Sequence, residues 1–271
     1  MSLKFKTVAA IGALVGALAL AGCGQEEKDP NHIKVGVIVG AEQKVSEVAQ
    51  KVAKEKYGLD VELVTFNDYV LPNEALSKGD IDVNAFQHKP YLDQQIKDRG
   101  YKLVPAGKTF VYPIAGYSKK IKSLDELQPG AQVALPNDPT NLGRSLLLLQ
   151  KVGLIKLKDG VGLMPTVLDV TENPKNLKLL ELEAPQLPRS LDDARIALAI
   201  INTTYASQIG LTPAKDGIFV EDKDSPYVNL IVAREDNKDA ENVKKFVEAF
   251  QSDEVSEAAN KIFNGGAVKG W

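Results

Sequence analysis

The segment Pro136-Asn137-Asp138-Pro139-Thr140-Asn141-Leu142-Gly143-Arg144 carries the strongest recognition chemistry in the chain. It follows an apolar run and opens a helix, so free amides and the positive end of the helix dipole face the loop, with Thr140 or Asn141 expected as the cap. Arg144 falls in the first turn and offers a planar fork of donors that matches a carboxylate, which makes the segment a candidate site for a small carboxylic acid. An arginine here would serve equally in a surface salt bridge, and position alone does not choose. A second group combines Tyr69, Phe86, His88 and Tyr91. Aromatic walls beside a neutral imidazole suit an apolar or thioether side chain, since sulfur gains about 0.3–1.5 kcal/mol per contact with a ring; the same residues could simply cap a hydrophobic core. Asn202 and Asn229 complete the set. Their amide oxygens could receive an ammonium group with no fixed anion beside the ligand's carboxylate, although buried asparagine also serves as a structural hydrogen-bonder.

Catalytic equipment is sparse by comparison. The chain has two histidines, His32 and His88, and one cysteine, Cys23. Neither a thiolate–imidazole pair nor a zinc site with about three protein ligands can be assembled from them. No Gly-x-Ser-x-Gly elbow and no phosphate-cradling glycine loop occurs. The expectation is a binding protein, not an enzyme, with no catalytic residue, cofactor or metal.

The elements that must position these residues alternate. Ile33 to Val39 reads as a strand turning at Gly40; Val45, Val48, Ala49, Val52 and Ala53 fall at helical spacing up to a stop at Gly58; Val61 to Phe66 resumes extended structure. Pro72 to Lys78 reads as a short helix, Ile81 to Phe86 as a strand and His88 to Arg99 as a helix ended by Gly100. This βαβ grammar predicts a parallel or mixed sheet covered on both faces. Tyr69, Phe86, His88 and Tyr91 then sit just past the carboxyl ends of strands, where open α/β sheets bind ligands. From about residue 118 the grammar repeats: Ser123-Leu124-Asp125-Glu126 matches a capping box, Ala131 to Leu135 is a strand, Leu142 to Val152 a helix, Leu177 to Leu182 extended, Ser190 to Ala194 helical and Ile196 to Ile201 extended. Tyr227 to Val232 is a strand, and Asp239 to Phe263 one or two helices that pack back on the first block. Two α/β lobes are implied, with a single doubly wound sheet as the alternative.

The N-terminus has a different character. Lys4 and Lys6 precede an unbroken apolar run from Val8 to Leu20, and Leu20-Ala21-Gly22-Cys23 follows. Thirteen apolar residues fall short of the roughly 20 that cross a bilayer, so residues 1–22 read as a signal peptide. The four residues match the lipobox of bacterial lipoproteins, which predicts that Cys23 becomes the acylated, palmitate-bearing first residue of the mature chain. Residues 23–31 then form a flexible tether. Losing Lys4 and Lys6 from 33 basic residues leaves 31 against 36 acidic ones, a formal charge of −5, which argues against nucleic acid as a partner.

The chain closely resembles the NlpA lipoprotein family, the methionine-binding lipoproteins of bacterial ABC importers. The resemblance runs from the lipobox to Trp271 and rests on Val35-Gly36-Val37, Asn67-Asp68-Tyr69, Ala85-Phe86-Gln87-His88-Lys89-Pro90-Tyr91, Pro136 to Asn141 and Asn202-Thr203-Thr204-Tyr205. It implies a two-lobed periplasmic-binding-protein fold, type II-like, with the ligand cleft between the lobes: residues 32–113 plus 227–271 in one, 114–226 in the other, hinged near Tyr112 to Gly116 and Ser225 to Asn229. By position, the resemblance implies that Arg144 holds a methionine carboxylate, Asn202 and Asn229 help hold the ammonium, Tyr69, Phe86, His88 and Tyr91 enclose the thioether, and Asn141 joins the polar set. The implied partners are an inner-membrane permease and its ATPase. The implied state is a monomer, lipid-anchored in the cell envelope with its folded domain in the periplasm. Another apolar amino acid or a short peptide is the alternative ligand, and a periplasmic enzyme the more distant alternative.

Overall fold

The computed structural model describes residues 29–271. The expected signal segment and Cys23 lie outside the described residues. Among the described residues no helix is long and apolar enough to cross a membrane.

The first half of the chain builds most of a six-stranded sheet. Strand β1 (His32–Ile38) leads through Gly40 into helix α1 (Ala41–Tyr57), which buries Val45, Ala49, Val52 and Ala53 at the predicted helical spacing and stops at Gly58, left-handed at φ 63°. Strand β2 (Asp60–Phe66) returns parallel to β1; α2 (Leu71–Lys78), β3 (Val83–His88) and α3 (Lys89–Arg99) follow, and β4 (Leu103–Val111) closes the run. Strand β3 is longer at its end than its composition suggests, and His88 leaves the helix to become its N-cap, accepting from the Tyr91 amide at 3.2 Å.

The chain then enters a five-stranded sheet. It comprises β5 (Ala115–Tyr117), β6 (Gln132–Pro136), β9 (Lys178–Leu182), β10 (Ile196–Ile201) and β11 (Phe219–Val220), in the order β11-β5-β10-β6-β9. Between β6 and β9 lie α4 (Pro139–Lys151) and a small hairpin of β7 (Lys156–Leu157) and β8 (Val170–Glu172). Helix α5 (Leu187–Ser190) precedes β10, and α6 (Thr203–Gln208) and α7 (Pro213–Asp216) follow it. Residues 191–194 form turns and a bend, so the helix expected over Ser190 to Ala194 instead ends at Ser190, with Pro188 in its first turn. Ser123 caps nothing with its side chain: Leu124–Glu126 is a single 3-10 turn, and the Glu126 carboxylate accepts instead from the Lys122 amide.

Returning to the first sheet, β12 (Val228–Arg234) inserts antiparallel between β3 and β4, and β13 (Val268–Lys269) adds the edge, giving the order β13-β4-β12-β3-β1-β2. Helices α8 (Glu241–Phe250) and α9 (Asp253–Ile262) bury Val243, Phe246, Phe250, Val255 and Ala259 in one core with α1. Fully buried side chains of this size contribute roughly 1.5–3 kcal/mol each. The C-terminal helices therefore fasten the N-terminal block.

One helix depends on a glycine for its packing. A Cβ on Gly143, inside α4, would stand 2.5 Å from the Leu163 carbonyl oxygen and 2.7 Å from the Met164 Cα. Alanine would add about 1 kcal/mol of helix propensity, but overpacking costs about 1–3 kcal/mol, and both atoms met belong to backbone. Gly143→Ala is expected to lower the unfolding free energy by about 1–2 kcal/mol in urea titrations, the upper part of the overpacking range deciding the sign.

Candidate functional site

All eight residues singled out from the sequence line one cavity, together with Glu42, Gln87, Tyr112, Thr203 and Thr204. The topology explains the convergence. Glu42 follows the carboxyl end of β1, Tyr69 follows β2, Phe86 and His88 end β3, Asn141 and Arg144 follow β6, and Asn202 follows β10. Antiparallel β12 begins at the same edge, so Asn229 lies directly opposite His88. The two sheets thus present their ligand-binding edges to a shared space.

The helix N-terminus at α4 is organised differently from the expectation. Asp138, not Thr140 or Asn141, is the N-cap, its carboxylate accepting from the Asn141 amide at 2.9 Å and from the Thr140 hydroxyl at 2.9 Å. Asp138 occupies the anion position at this helix end, which leaves the Arg144 guanidinium as the candidate anion receptor of the segment. The guanidinium is only 4 % exposed. Nε donates to Glu221 Oε1 at 2.9 Å, and Nη2 donates to Glu221 Oε2 and to the Tyr112 carbonyl at 3.0 Å. The Tyr227 ring covers the guanidinium at 4.4 Å. Nη1 enters no hydrogen bond with the described residues. Arg144 does form a salt bridge, but a buried one that holds the fork rigid.

Asn141 sits at the centre of the polar side. Its Oδ1 accepts from Asn202 Nδ2 at 2.8 Å and stands 3.2 Å from His88 Nε2, while its Nδ2 donates to both Asp138 oxygens. Because His88 Nδ1 accepts from the Tyr91 amide, the ring proton belongs on Nε2, facing Asn141. With Asn202 Nδ2 committed, its Oδ1 is left buried with no hydrogen-bond partner among the described residues. A buried acceptor in that condition costs about 1–3 kcal/mol until a donor arrives. Asn202 lines the cavity, so a donor placed there could satisfy it.

The apolar side is a tilted stack. Tyr69 lies 5.7 Å from Phe86, 6.1 Å from Tyr91 and 4.9 Å from Tyr205, ring centre to ring centre, and Tyr91 anchors the loop by donating to the Tyr69 carbonyl at 2.8 Å. Beneath it, Asn73, Asn84 and Gln87 form a buried amide network: Asn84 Nδ2 donates to Asn73 Oδ1 at 2.9 Å, and Asn73 Nδ2 to Gln87 Oε1 at 2.9 Å. Asn84 therefore supports the strand and does not line the cavity.

Electrostatics separate the titrating groups. Burial, reinforced by the Arg144 charge, pushes the His88 imidazole down to about 3, so it is neutral throughout the physiological range. Burial pushes the Glu42 carboxyl up to about 7 against the opposing hydrogen bonds from Thr204 and Asn229. The signs oppose one another. Between pH 3 and 6.5 the folded state binds fewer protons at His88 than the unfolded chain, so stability rises with pH; between 4.5 and 7 it binds more at Glu42, so stability falls with pH. The two cancel over pH 4.5–6.5. Glu42→Gln is expected to unmask a steeper rise of Tm with pH across that window, checked by calorimetry against the parent protein.

Among the described residues no group of three or more His, Cys, Asp or Glu could hold a metal ion. The family model of the NlpA lipoproteins matches residues 33–271. The chain belongs to the NlpA lipoprotein family. It is 89 % identical to the D-methionine-binding lipoprotein MetQ of Salmonella typhimurium over 271 residues, the whole of both chains. Among solved structures it is similar to the methionine-binding protein MetQ, with a TM-score of 0.89 at 90 % identity, covering 90 % of this chain and 99 % of that one. A nutrient-binding protein from Burkholderia cenocepacia, solved bound to methionine, superposes with a TM-score of 0.85 at 55 % identity, covering 88 % and 100 %. The fold is that of the periplasmic binding proteins.

Within this NlpA-family chain, the cavity and ion-pair residues that local sequence patterns do not single out are of two kinds. Gln87, Thr203 and Thr204 lie inside the conspicuous strings around His88 and Asn202, so their neighbourhood was visible. Glu42 and Glu221 were not. The sequence reading placed no fixed anion in the site, yet Glu42 lines the cavity and Glu221 neutralises Arg144. An acidic residue in the first turn of a helix looks like dipole compensation, and Glu221 reaches Arg144 across 77 positions of chain.

Proposed function

We propose that this chain captures methionine as a zwitterion between two lobes and delivers it to an ABC importer. The observation that carries the reading is the buried guanidinium of Arg144 sharing one cavity with the unpartnered Asn202 Oδ1 and an aromatic wall. An anion receptor, a cation receptor and an apolar enclosure describe an amino acid with an apolar tail. The carboxylate meets Arg144, the ammonium meets Asn202 with Asn229 beside it, and Tyr69, Phe86, His88 and Tyr91 enclose the thioether. Asn141 positions the polar set.

The names of the relatives support methionine over other apolar amino acids. The lobes comprise residues 32–113 plus 227–271 and residues 114–226, and the chain crosses between the sheets near Tyr112 to Gly116 and Ser225 to Asn229, where closure hinges. Cys23 carries the acyl anchor at the cell envelope. The folded domain works in the periplasm as a monomer, without cofactor or catalysis, and hands its ligand to a permease driven by an ATPase. Titration calorimetry with L- and D-methionine, leucine and a methionine dipeptide tests this: methionine binds at least tenfold tighter than leucine, and the dipeptide does not bind. Equal affinity for all four would overturn it.

A further inference from the structure

Among the described residues no cation pairs with the Glu42 carboxyl. It lies in the first turn of α1, 4 % exposed, with one oxygen accepting from the Thr204 hydroxyl and the other from Asn229 Nδ2 at 3.1 Å. These two hydrogen bonds leave each oxygen with acceptor capacity to spare. The groups that face it supply no positive charge. Thr204 comes from α6 and Asn229 from β12; the phenols of Tyr69, Tyr112 and Tyr205 are all held neutral by burial, and the His88 imidazole is neutral as well. Arg144 is the one cation among the residues lining the cavity, and its charge is already matched by Glu221. A buried acid in that setting keeps its proton until a cation replaces it.

We propose that Glu42 is the counter-charge for the ligand's ammonium group, so that the site selects free α-amino acids over their 2-hydroxy and N-acyl counterparts and releases a proton to solvent on capture. The proposal rests on the functional reading above, in which the ligand is a zwitterion. It adds what amide acceptors alone do not supply. Asn202 and Asn229 accept hydrogen bonds from a hydroxyl nearly as readily as from an ammonium, whereas a carboxylate separates the two by charge. It also accounts for proton balance: the protonated carboxyl gives up its proton as the ammonium arrives, and the resulting ion pair is closed off from water.

The setting of Glu42 is shared between the two sheets. Its neighbours Val39 and Ala41 meet α6 directly: Gln208 Nε2 donates to the Val39 carbonyl at 2.7 Å, and the Ala41 amide donates to Ser207 Oγ at 3.3 Å. Between them Gly40 sits at φ 128°, and a Cβ there would stand 3.2 Å from the Thr204 carbonyl oxygen. The carboxyl is therefore desolvated by the meeting of α1 with α6. Ion pairing gains most in that dry setting.

The test is titration calorimetry of the protein with methionine and with its 2-hydroxy analogue, 2-hydroxy-4-(methylthio)butanoate, from pH 5.5 to 8 in buffers of differing ionisation enthalpy. Methionine is expected to bind with proton release at pH 6.5, its affinity rising about tenfold per pH unit below 7 and levelling above; the hydroxy acid should show no such rise. Glu42→Gln should abolish the proton release and narrow the preference for methionine over the hydroxy acid at least tenfold at pH 7.5. A buffer-independent heat with pH-independent methionine affinity in the parent protein overturns the proposal without any variant. An unchanged preference in a natively folded Glu42→Gln protein overturns it as well. Failure of methionine to bind at any pH sinks the functional reading itself.

Discussion

Replacing Arg144 with alanine is expected to abolish measurable methionine binding and to lower the unfolding free energy by about 3–5 kcal/mol, because one side chain serves both ends. The ligand loses a charge-assisted contact with the guanidinium, about 1.5–3 kcal/mol, and Glu221, 13 % exposed, loses its ion-pair partner. The unpaired carboxylate dominates the stability term, since removing one partner of a buried pair leaves an uncompensated charge. The two effects separate in a double variant. Arg144→Ala with Glu221→Ala should recover most of the lost stability and none of the affinity, a coupling read by a double-mutant cycle in urea alongside calorimetry. Arg144→Lys keeps a charge for Glu221 but not the fork that also reaches the Tyr112 carbonyl, so it should unfold later than alanine and still bind poorly. Unchanged methionine affinity in the alanine variant would remove Arg144 from the site.

The alternation of strands and helices was legible because β-branched runs and glycine stops coincide. Gly58, Gly79 and Gly100 all end helices in the left-handed region, where glycine bears no Cβ penalty. Helix starts were less legible. Asp138, Thr140 and Asn141 are all good caps, and the residue that decides between them is Pro139: lacking an amide hydrogen, it suits the first helical position and makes the residue before it the cap. The aromatic wall was readable from strand ends alone, because the carboxyl edge of an open α/β sheet is where a ligand sits. The same rule, applied to the turn after β1, would have pointed to Glu42. What no local pattern contained was the Arg144–Glu221 pair, since it forms only when the second sheet brings the α4 helix against the strand connection at residue 221. Burial, which sets the charge state of Glu42 and His88, is likewise a property of the assembled cavity.

Asn141 has no free polar valence, so its expected part in the proposed site is to orient its neighbours. Each of its amide atoms is engaged: Oδ1 accepts from Asn202 and faces His88 Nε2, and Nδ2 donates to Asp138. Asn141→Ala removes the partner of two buried donors at once, and each orphaned donor costs about 1–3 kcal/mol. The amide of Asn202 then loses the bond that fixes its orientation in the cavity, and the His88 ring loses its partner at Nε2. The expected result is a loss of roughly 2–4 kcal/mol in methionine binding with the helix start preserved, since Asp138 still caps through the backbone amide of residue 141. Asn141→Asp is the discriminating control. It keeps an acceptor for Asn202 and His88 but sets a carboxylate against Asp138, so binding should survive better than in the alanine variant while thermal stability falls further. If instead both variants bind methionine as tightly as the parent, Asn202 does not depend on Asn141 for its orientation, and the polar half of the site is organised some other way.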